Sequence, residues 1–318
     1  MDRRKTRRLA LLSILVGVLC ATLWTAMRYG PLYGFYLVPP SPQRYGEIAI
    51  ELMERQGMNA SGSAWATAKK DAQQALENTQ SYADTYPALE TLVKKAGGQH
   101  SFLQAPGENA SAAVSQLPRV SLEDGIARIV LPAFSGTSDE AVAYAMTAVE
   151  GLRRMPDVRG AVIDLRGNTG GDMGPMLAAV APFLPDGEVL SFHVRGALMP
   201  VTLKDGAVTG GGTPMKLESF KLDKVPVALL IDGQTASSAE AVLLCFRGLE
   251  NARTFGRRTA GYTSCNNVNR LYDGALLGIT MGGELARTGE LFQNQPIVPD
   301  VPTDDPEGEA LRWLNEGR

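Results

Sequence analysis

Val225-Pro226-Val227-Ala228-Leu229-Leu230-Ile231-Asp232-Gly233-Gln234-Thr235-Ala236-Ser237-Ser238-Ala239-Glu240-Ala241-Val242-Leu243-Leu244-Cys245-Phe246 is the stretch on which the reading of this chain turns. An apolar run ends in Asp-Gly-Gln, and a second apolar run of helical length follows. The pattern predicts a buried strand, a tight turn and a helix with two hydroxyls in its first turn. A serine there meets unpaired backbone N–H groups and the positive end of the helix dipole. An alkoxide or a tetrahedral oxyanion is the kind of charge such a place stabilises. Ser237-x-x-Glu240 also fits a capping box, in which serine and glutamate satisfy the helix's first N–H groups. Capping is the commoner use of such a quartet, so the neighbouring segments decide.

Working outward, strands and helices alternate from about residue 119. Ile126–Leu131 reads as a strand, and Asp139–Leu152 as a helix with Ser138 the predicted N-cap. Val158–Leu165 is a nearly continuous apolar strand, as expected where both faces are covered. A helix over Met173–Phe183 follows, then strands near Val189–Val194 and Val225–Ile231, a helix over Ala239–Leu249 and a short strand at Thr254-Phe255-Gly256. The rest, to about residue 303, reads as short strands and turns. The fold class expected is α/β, with a mainly parallel central sheet flanked by helices.

Upstream the pattern is helical. Ile48–Met53, Trp65–Tyr82 and Tyr86–Ala96 form three amphipathic runs, the last closed by Gly97-Gly98. The expected organisation is a membrane anchor over 1–29, a proline-rich linker over 30–43, a helical domain over 44–98, a core over 99–303 and a C-terminal tail or helix over 304–318.

The anchor rests on five basic residues (Arg3, Arg4, Lys5, Arg7, Arg8) before Leu9–Met27, nineteen residues without a charge. That length spans a bilayer's hydrocarbon core and exceeds the apolar region of most cleaved signals. No convincing small-x-small cleavage site follows, and Leu19 is large for a lipoprotein site at Cys20; a cleaved signal peptide is the alternative reading. The basic cluster is expected to stay cytoplasmic, with everything after residue 30 outside. Residues 1–28 hold six of the 31 basic and one of the 34 acidic residues, leaving 25 against 33, a net charge near −8. So acidic a remainder excludes a nucleic-acid partner. Three cysteines are too few for a disulfide framework, and nothing in the spacing of Cys245 and Cys265 requires a bond.

The chain has two histidines, which shortens the search for a general base. His193 lies within a strand and reads as structural. His100, in Gly97-Gly98-Gln99-His100-Ser101-Phe102, follows a helix end at the junction of the two regions, where ligand and catalytic groups often gather. Its neutral imidazole is suited to accept a serine proton. Ile163–Asp172 is a strand ending in a glycine-rich turn, Asn168-Thr169-Gly170-Gly171, whose bare N–H groups suit an oxyanion hole as well as an ordinary turn. A phosphate loop is excluded, since the turn has neither Gly-Lys-Ser/Thr nor Gly-x-Gly-x-x-Gly. Two histidines 93 positions apart give poor metal spacing. No cofactor or metal is expected.

Asp164-Leu165-Arg166-Gly167-Asn168-Thr169-Gly170-Gly171, then Thr235–Glu240, then Phe255-Gly256-Arg257-Arg258-Thr259-Ala260-Gly261 resemble, in that order, the motifs of the tail-specific serine proteases. That family includes C-terminal processing and tricorn-like branches, and the resemblance covers roughly residues 97–303. It implies Ser237 as nucleophile, His100 as base, and an oxyanion hole from the backbone N–H of Ser238 and of Gly170 or Gly171. Tyr262 stands where the processing branch has its lysine base, and a phenol titrating near ~10 is a poor substitute. Gln99-His100-Ser101-Phe102 is instead similar to the tricorn-like histidine motif. Residues 103–118 leave no room for a PDZ domain. Glu240 is left between orienting the site and capping its helix, with capping favoured.

The expected function is therefore a membrane-anchored, extracytoplasmic serine endopeptidase with a Ser-His dyad, cutting peptides near their C-terminal ends. The resemblance extends to an antimicrobial peptide of the lantibiotic type as one substrate. The alternative is a non-catalytic peptide-binding or immunity protein on the same fold. Oligomeric state is not legible.

Overall fold

The computed structural model describes residues 3–107, 116–218 and 220–316, with side chains from residue 11 onward. The basic side chains at 3–8, and half of the segment judged too short for a PDZ domain, lie outside what is described. The chain divides into two compact units, Met1–Glu108 with Asn266–Thr280, and Asn109–Cys265 with Met281–Arg318. The sequence assigned 266–280 to the core region; in the structure it joins the helical unit.

In the first unit, α1 (Arg3–Tyr29) supplies most of the one helical span among the described residues that is long and apolar enough to cross a membrane, Leu11–Tyr33. At ~1.5 Å per residue its 27 residues run ~40 Å. The proline-rich stretch after it is not wholly a linker. Gly30–Tyr33 forms a 3-10 turn, and Pro42 already opens α2 (Pro42–Gln56), whose N-cap Ser41 accepts from Arg44 N at 3.2 Å. Helices α3 (Gly62–Leu76) and α4 (Tyr86–Gly97) follow, α3 ending earlier than its apolar pattern suggested. Tyr45, Ile48, Met53, Trp65, Leu89 and Val93 bury the facing stripes. Strand β1 (Phe102–Gln104) pairs antiparallel with the first residues of a long strand described below, Leu276–Gly278. The hairpin tip beside it is fixed by Asp273, which accepts from Tyr45 Oη at 3.0 Å, from Tyr86 Oη and from Ala275 N at 3.0 Å.

The second unit opens with β2 (Arg119–Glu123), β3 (Ile126–Val130), α5 (Ser138–Arg153), β4 (Gly160–Asp164) and α6 (Met173–Val180). The N-cap of α5 is Thr137, not Ser138: only Thr137 stands three residues before Glu140, whose carboxylate returns to the Thr137 N–H at 2.7 Å. Next come β5 (Gly187–Val194), β6 (Ala197–Lys204), β7 (Ala207–Thr209), β8 (Met215–Lys216), β9 (Val227–Ile231), α7 (Ser238–Phe246) and β10 (Ala252–Gly256). Strands β11 (Ser264–Arg270) and β12 (Leu276–Ala286) run through both units, and β13 (Leu291–Phe292), β14 (Val301–Pro302) and α8 (Pro306–Glu316) complete the chain.

One sheet has the order β14-β10-β9-β4-β3-β2, parallel except between β2 and β3. Every residue of β4 and β9 is buried because both faces are covered. Ile163 and Leu229 pack with α5, α6 and α7, whereas Val162, Ala228 and Leu230 pack under Ala310 and Leu314 of α8. The expectation of one mainly parallel sheet needs correction. The mixed α/β fold has further strands, β12-β5-β6-β7-β8, whose described pairings are all antiparallel. The region read as short strands and turns contains the eleven-residue β12.

Candidate active site

Strands β4, β9 and β10 are neighbours and parallel, so the turns leaving their C-terminal ends lie side by side. Each of the three sequence motifs is one of these turns. They are stitched together by hydrogen bonds that the sequence alone did not disclose. Asp232 Oδ1 accepts from Gln234 N, Thr235 N and Gly167 N at 2.9–3.1 Å. The Thr235 hydroxyl donates to Leu165 O at 2.9 Å, and Ala236 N donates to Asn168 O at 2.9 Å. Buried Asn168 spends its amide on Leu131 O (2.9 Å) and accepts from Gly170 N with its Oδ1 (2.9 Å).

Ser237 sits at the end of this frame with φ 55° and ψ −121°, a conformation L side chains rarely adopt. Strain of this kind costs roughly 1–3 kcal/mol and persists where surrounding bonds enforce it. It lifts the serine onto a sharp strand-to-helix turn, the placement that exposes a nucleophile. An ordinary N-cap has an extended backbone, which also explains why the capping box is one-sided. Glu240 Oε2 accepts from Ser237 N at 2.9 Å, while the Ser237 hydroxyl lies near the Glu240 N–H without making a cap hydrogen bond.

The two glycines differ. The Gly170 N–H is taken by Asn168, and a Cβ at Gly170 would lie 2.7 Å from Ser237 Cβ, so this glycine lets the turn close against the serine. Gly171 has φ 119°, its carbonyl accepts from the Ser238 hydroxyl at 2.6 Å, and an added Cβ would strike the Phe134 carbonyl oxygen. Its N–H makes no hydrogen bond among the described residues, and neither does that of Ser238.

Glu240 does more than cap. Buried, it accepts from Ser237 N and Tyr262 N (2.8 Å) on Oε2, and from Gly261 N (2.9 Å) and the Thr259 hydroxyl on Oε1. One carboxylate thus ties the serine turn to the Thr259–Tyr262 turn after β10. Burial raises its pKa against the pull of these four donors. Glu284 of β12 is the second acid here. It is fully buried, its Oε2 has no hydrogen-bond partner among the described residues, and burial together with the charge of Glu240 holds its pKa well above the ordinary range. Cys245 and Cys265 are free thiols, and burial with the nearby Glu284 pushes Cys265 up to about 11.

Ser237, Ser238, Gly170, Gly171 and Glu240 are thus brought together in the second unit. His100 belongs to the first, in the turn between α4 and β1. Asn266 Nδ2 donates to its carbonyl at 3.0 Å, and the next residue, buried Ser101, donates to the Thr280 hydroxyl at 2.9 Å. His193 lies in β5 opposite Gly283. Asn168, Asp232, Thr259 and Glu284 are the residues the sequence reading missed. The Asp232–Thr235 turn signal was visible; the buried acid in a glycine-rich strand was not.

Residues 125–303 match the model of peptidase family S41. The chain is 34% identical over 304 residues to the nisin-resistance protein of Lactococcus lactis subsp. lactis, covering 94% of this chain and 95% of that one. It is 25% identical over 193 residues to the carboxy-terminal processing protease CtpA of Bacillus subtilis, which spans 61% of this chain but 38% of the relative. A lipoprotein from Streptococcus agalactiae superposes with a TM-score of 0.76 at 29% identity, covering 89% and 99% of the two chains. The photosystem II D1 C-terminal processing protease shares the fold, with a TM-score of 0.57 at 16% identity over 85% and 94%. A family model covering more than half the chain, with a relative aligned over nearly its whole length, makes this chain a member of peptidase family S41, whose proteases are serine peptidases.

Proposed function

We propose that this chain is a membrane-anchored, extracytoplasmic serine endopeptidase that cuts peptides near their C-terminal ends. The observation that carries the reading is Ser237, held at positive φ on the first turn of α7 beside two uncommitted N–H groups, those of Ser238 and Gly171. His100 takes the Ser237 proton as the hydroxyl attacks the scissile carbonyl. The two N–H groups and the α7 dipole stabilise the oxyanion. His100 then protonates the leaving amine, and water releases the acyl group by the reverse sequence. Of the two glycines considered for the hole, Gly171 is the better donor because Asn168 already occupies Gly170 N. The similarity to a nisin-resistance protein supports a lantibiotic-type peptide as substrate, and the C-terminal processing relatives support the site of cleavage.

A second reading, a peptide-binding protein that does not cut, is favoured by one residue: Tyr262 occupies the position of the processing branch's lysine. Hydrolysis of an unstructured peptide by the full chain separates the two. Turnover lost in Ser237→Ala and cut at least ~100-fold in His100→Ala, but largely kept in His193→Ala and Tyr262→Phe, supports the peptidase. Binding without turnover supports the alternative.

A further inference from the structure

The end of α1 does not run into a free tether. Arg28 pairs with Glu51 of α2 at 2.7 Å and lies over the Tyr29 ring, against which Trp24 packs edge-on. The 3-10 turn then folds the chain back: Gly34 N donates to Pro31 O at 3.1 Å and Phe35 N to Gly30 O at 2.9 Å. Phe35 ends up against the helix terminus, so close that a Cβ at Gly30 would lie 3.0 Å from its ring. Gly34, at φ 75°, permits this reversal.

What the turn buries and what it presents are opposite in character. Pro31 and Leu32 point inward, but Tyr33 is 82% exposed, Phe35 53% and Val38 54%. Tyr33 also borders a 460 Å³ cavity whose lining includes Val268 and Tyr272, both exposed apolar side chains of the β11–β12 hairpin. Exposed Arg270 stands between them, a residue whose long apolar stem can lie along such a boundary while its charge reaches water. Tyr36 bridges the two, its ring 5.3 Å from that of Tyr272. Single exposed apolar residues need no explanation; a contiguous set of large ones marks an interaction surface.

We propose that Tyr33, Phe35, Val38, Val268 and Tyr272 form a lipid-facing surface, bedded in the headgroup–acyl boundary of the bilayer that α1 crosses. The proposal rests on the reading of α1 as a membrane anchor. The occupant follows from continuity. The surface begins four residues beyond α1 and is folded back onto its end, at the level where a spanning helix leaves the hydrocarbon. Tyrosine with aliphatic neighbours is what that boundary selects, as Tyr29 and Trp24 already show about one turn and two and a half turns earlier. The helical unit is then seated on the membrane through two of its segments instead of swinging from one.

Nitroxide collision measurements on the full chain in phosphatidylglycerol–phosphatidylcholine vesicles test this. Cys20 and Cys265 are replaced by serine, and labels are placed one at a time through Leu15→Cys, Phe35→Cys, Val268→Cys and Gln73→Cys. The labels at 35 and 268 should favour oxygen over a nickel chelate several-fold more than the label on exposed Gln73, and less than that at Leu15. Water-like labels at 35 and 268 beside a lipid-like label at 15 leave the anchor standing and overturn the surface. A water-like label at 15 overturns the anchor, and the surface with it. Labels at 35 and 268 shielded from both reagents, and released on dilution into excess lipid, identify a second copy as the occupant and overturn the lipid assignment.

Discussion

Replacing Glu240 by alanine removes the acceptor of four donors at once: the N–H groups of Ser237, Gly261 and Tyr262, and the Thr259 hydroxyl. Each orphaned buried donor costs ~1–3 kcal/mol. Relief of the carboxylate's own desolvation, and entry of water, offset part of this, leaving an expected loss of ~3–5 kcal/mol. Glutamine is the informative partner. Its amide nitrogen must replace one oxygen. In the Oε2 place it would face two backbone N–H donors. In the Oε1 place it meets Gly261 N and the Thr259 hydroxyl, which can offer a lone pair although it already accepts from Ile297 N at 2.8 Å. The second arrangement loses one bond and the charge, so Glu240→Gln should cost ~1.5–3 kcal/mol. Urea unfolding in detergent, with the m-value unchanged, measures both. Peptide turnover should fall in the order wild type, Gln, Ala, because glutamine keeps an uncharged acceptor for the Ser237 N–H whereas alanine removes the bond that enforces its strained φ. An alanine variant destabilised by less than ~1 kcal/mol, or a glutamine variant worse than alanine, refutes the account of Glu240 as the knot between the two turns.

Glu284 gives a pH signature. Its folded pKa is raised, so the folded state binds the proton more tightly than the unfolded chain. Stability present below the unfolded value, ~4.3, is therefore lost as pH rises toward the folded value, by up to ~1.4 kcal/mol per unit. Unfolding of Glu284→Gln across pH 4–8 should lack this decline; an unchanged slope refutes the assignment. Gly171→Ala would drive a Cβ into the Phe134 carbonyl at φ 119° and should cost at least ~2 kcal/mol, read as a fall in thermal unfolding temperature. Asn168→Ala leaves Gly170 N and Leu131 O without partners and should cost ~1–3 kcal/mol, with a larger fractional loss of turnover than of peptide binding.

The parts legible in the sequence are those where burial writes a simple pattern. β4 and β9 are covered on both faces, so their apolar runs are nearly unbroken, and the turns leaving them carry the motifs. β12 was hidden because Gly278, Gly282 and Gly283 look like turn residues, glycine being depleted in strands. The structure supplies the reason for them. A Cβ at Gly278 would strike the Phe102 ring, at Gly282 the His193 carbonyl, and at Gly283 the Phe292 carbonyl. The hairpin of β6 escaped notice because its first four residues, Leu198 and Met199 among them, are exposed and show no alternation. For Glu240 the sequence leaves two roles, a cap or an organiser of the site. Spacing disclosed its bond to Ser237, but its three bonds to the Thr259–Tyr262 turn depend on β10 lying beside β9, which no local pattern encodes.

The most direct test of the central claim is reaction of the full chain with a fluorophosphonate, followed by peptide mass mapping. An activated serine at the first turn of α7 predicts a single adduct on Ser237, absent from Ser237→Ala and formed at least ~100-fold more slowly in His100→Ala. An adduct on Ser238, or a chain that binds peptide and forms no adduct on Ser237, contradicts it.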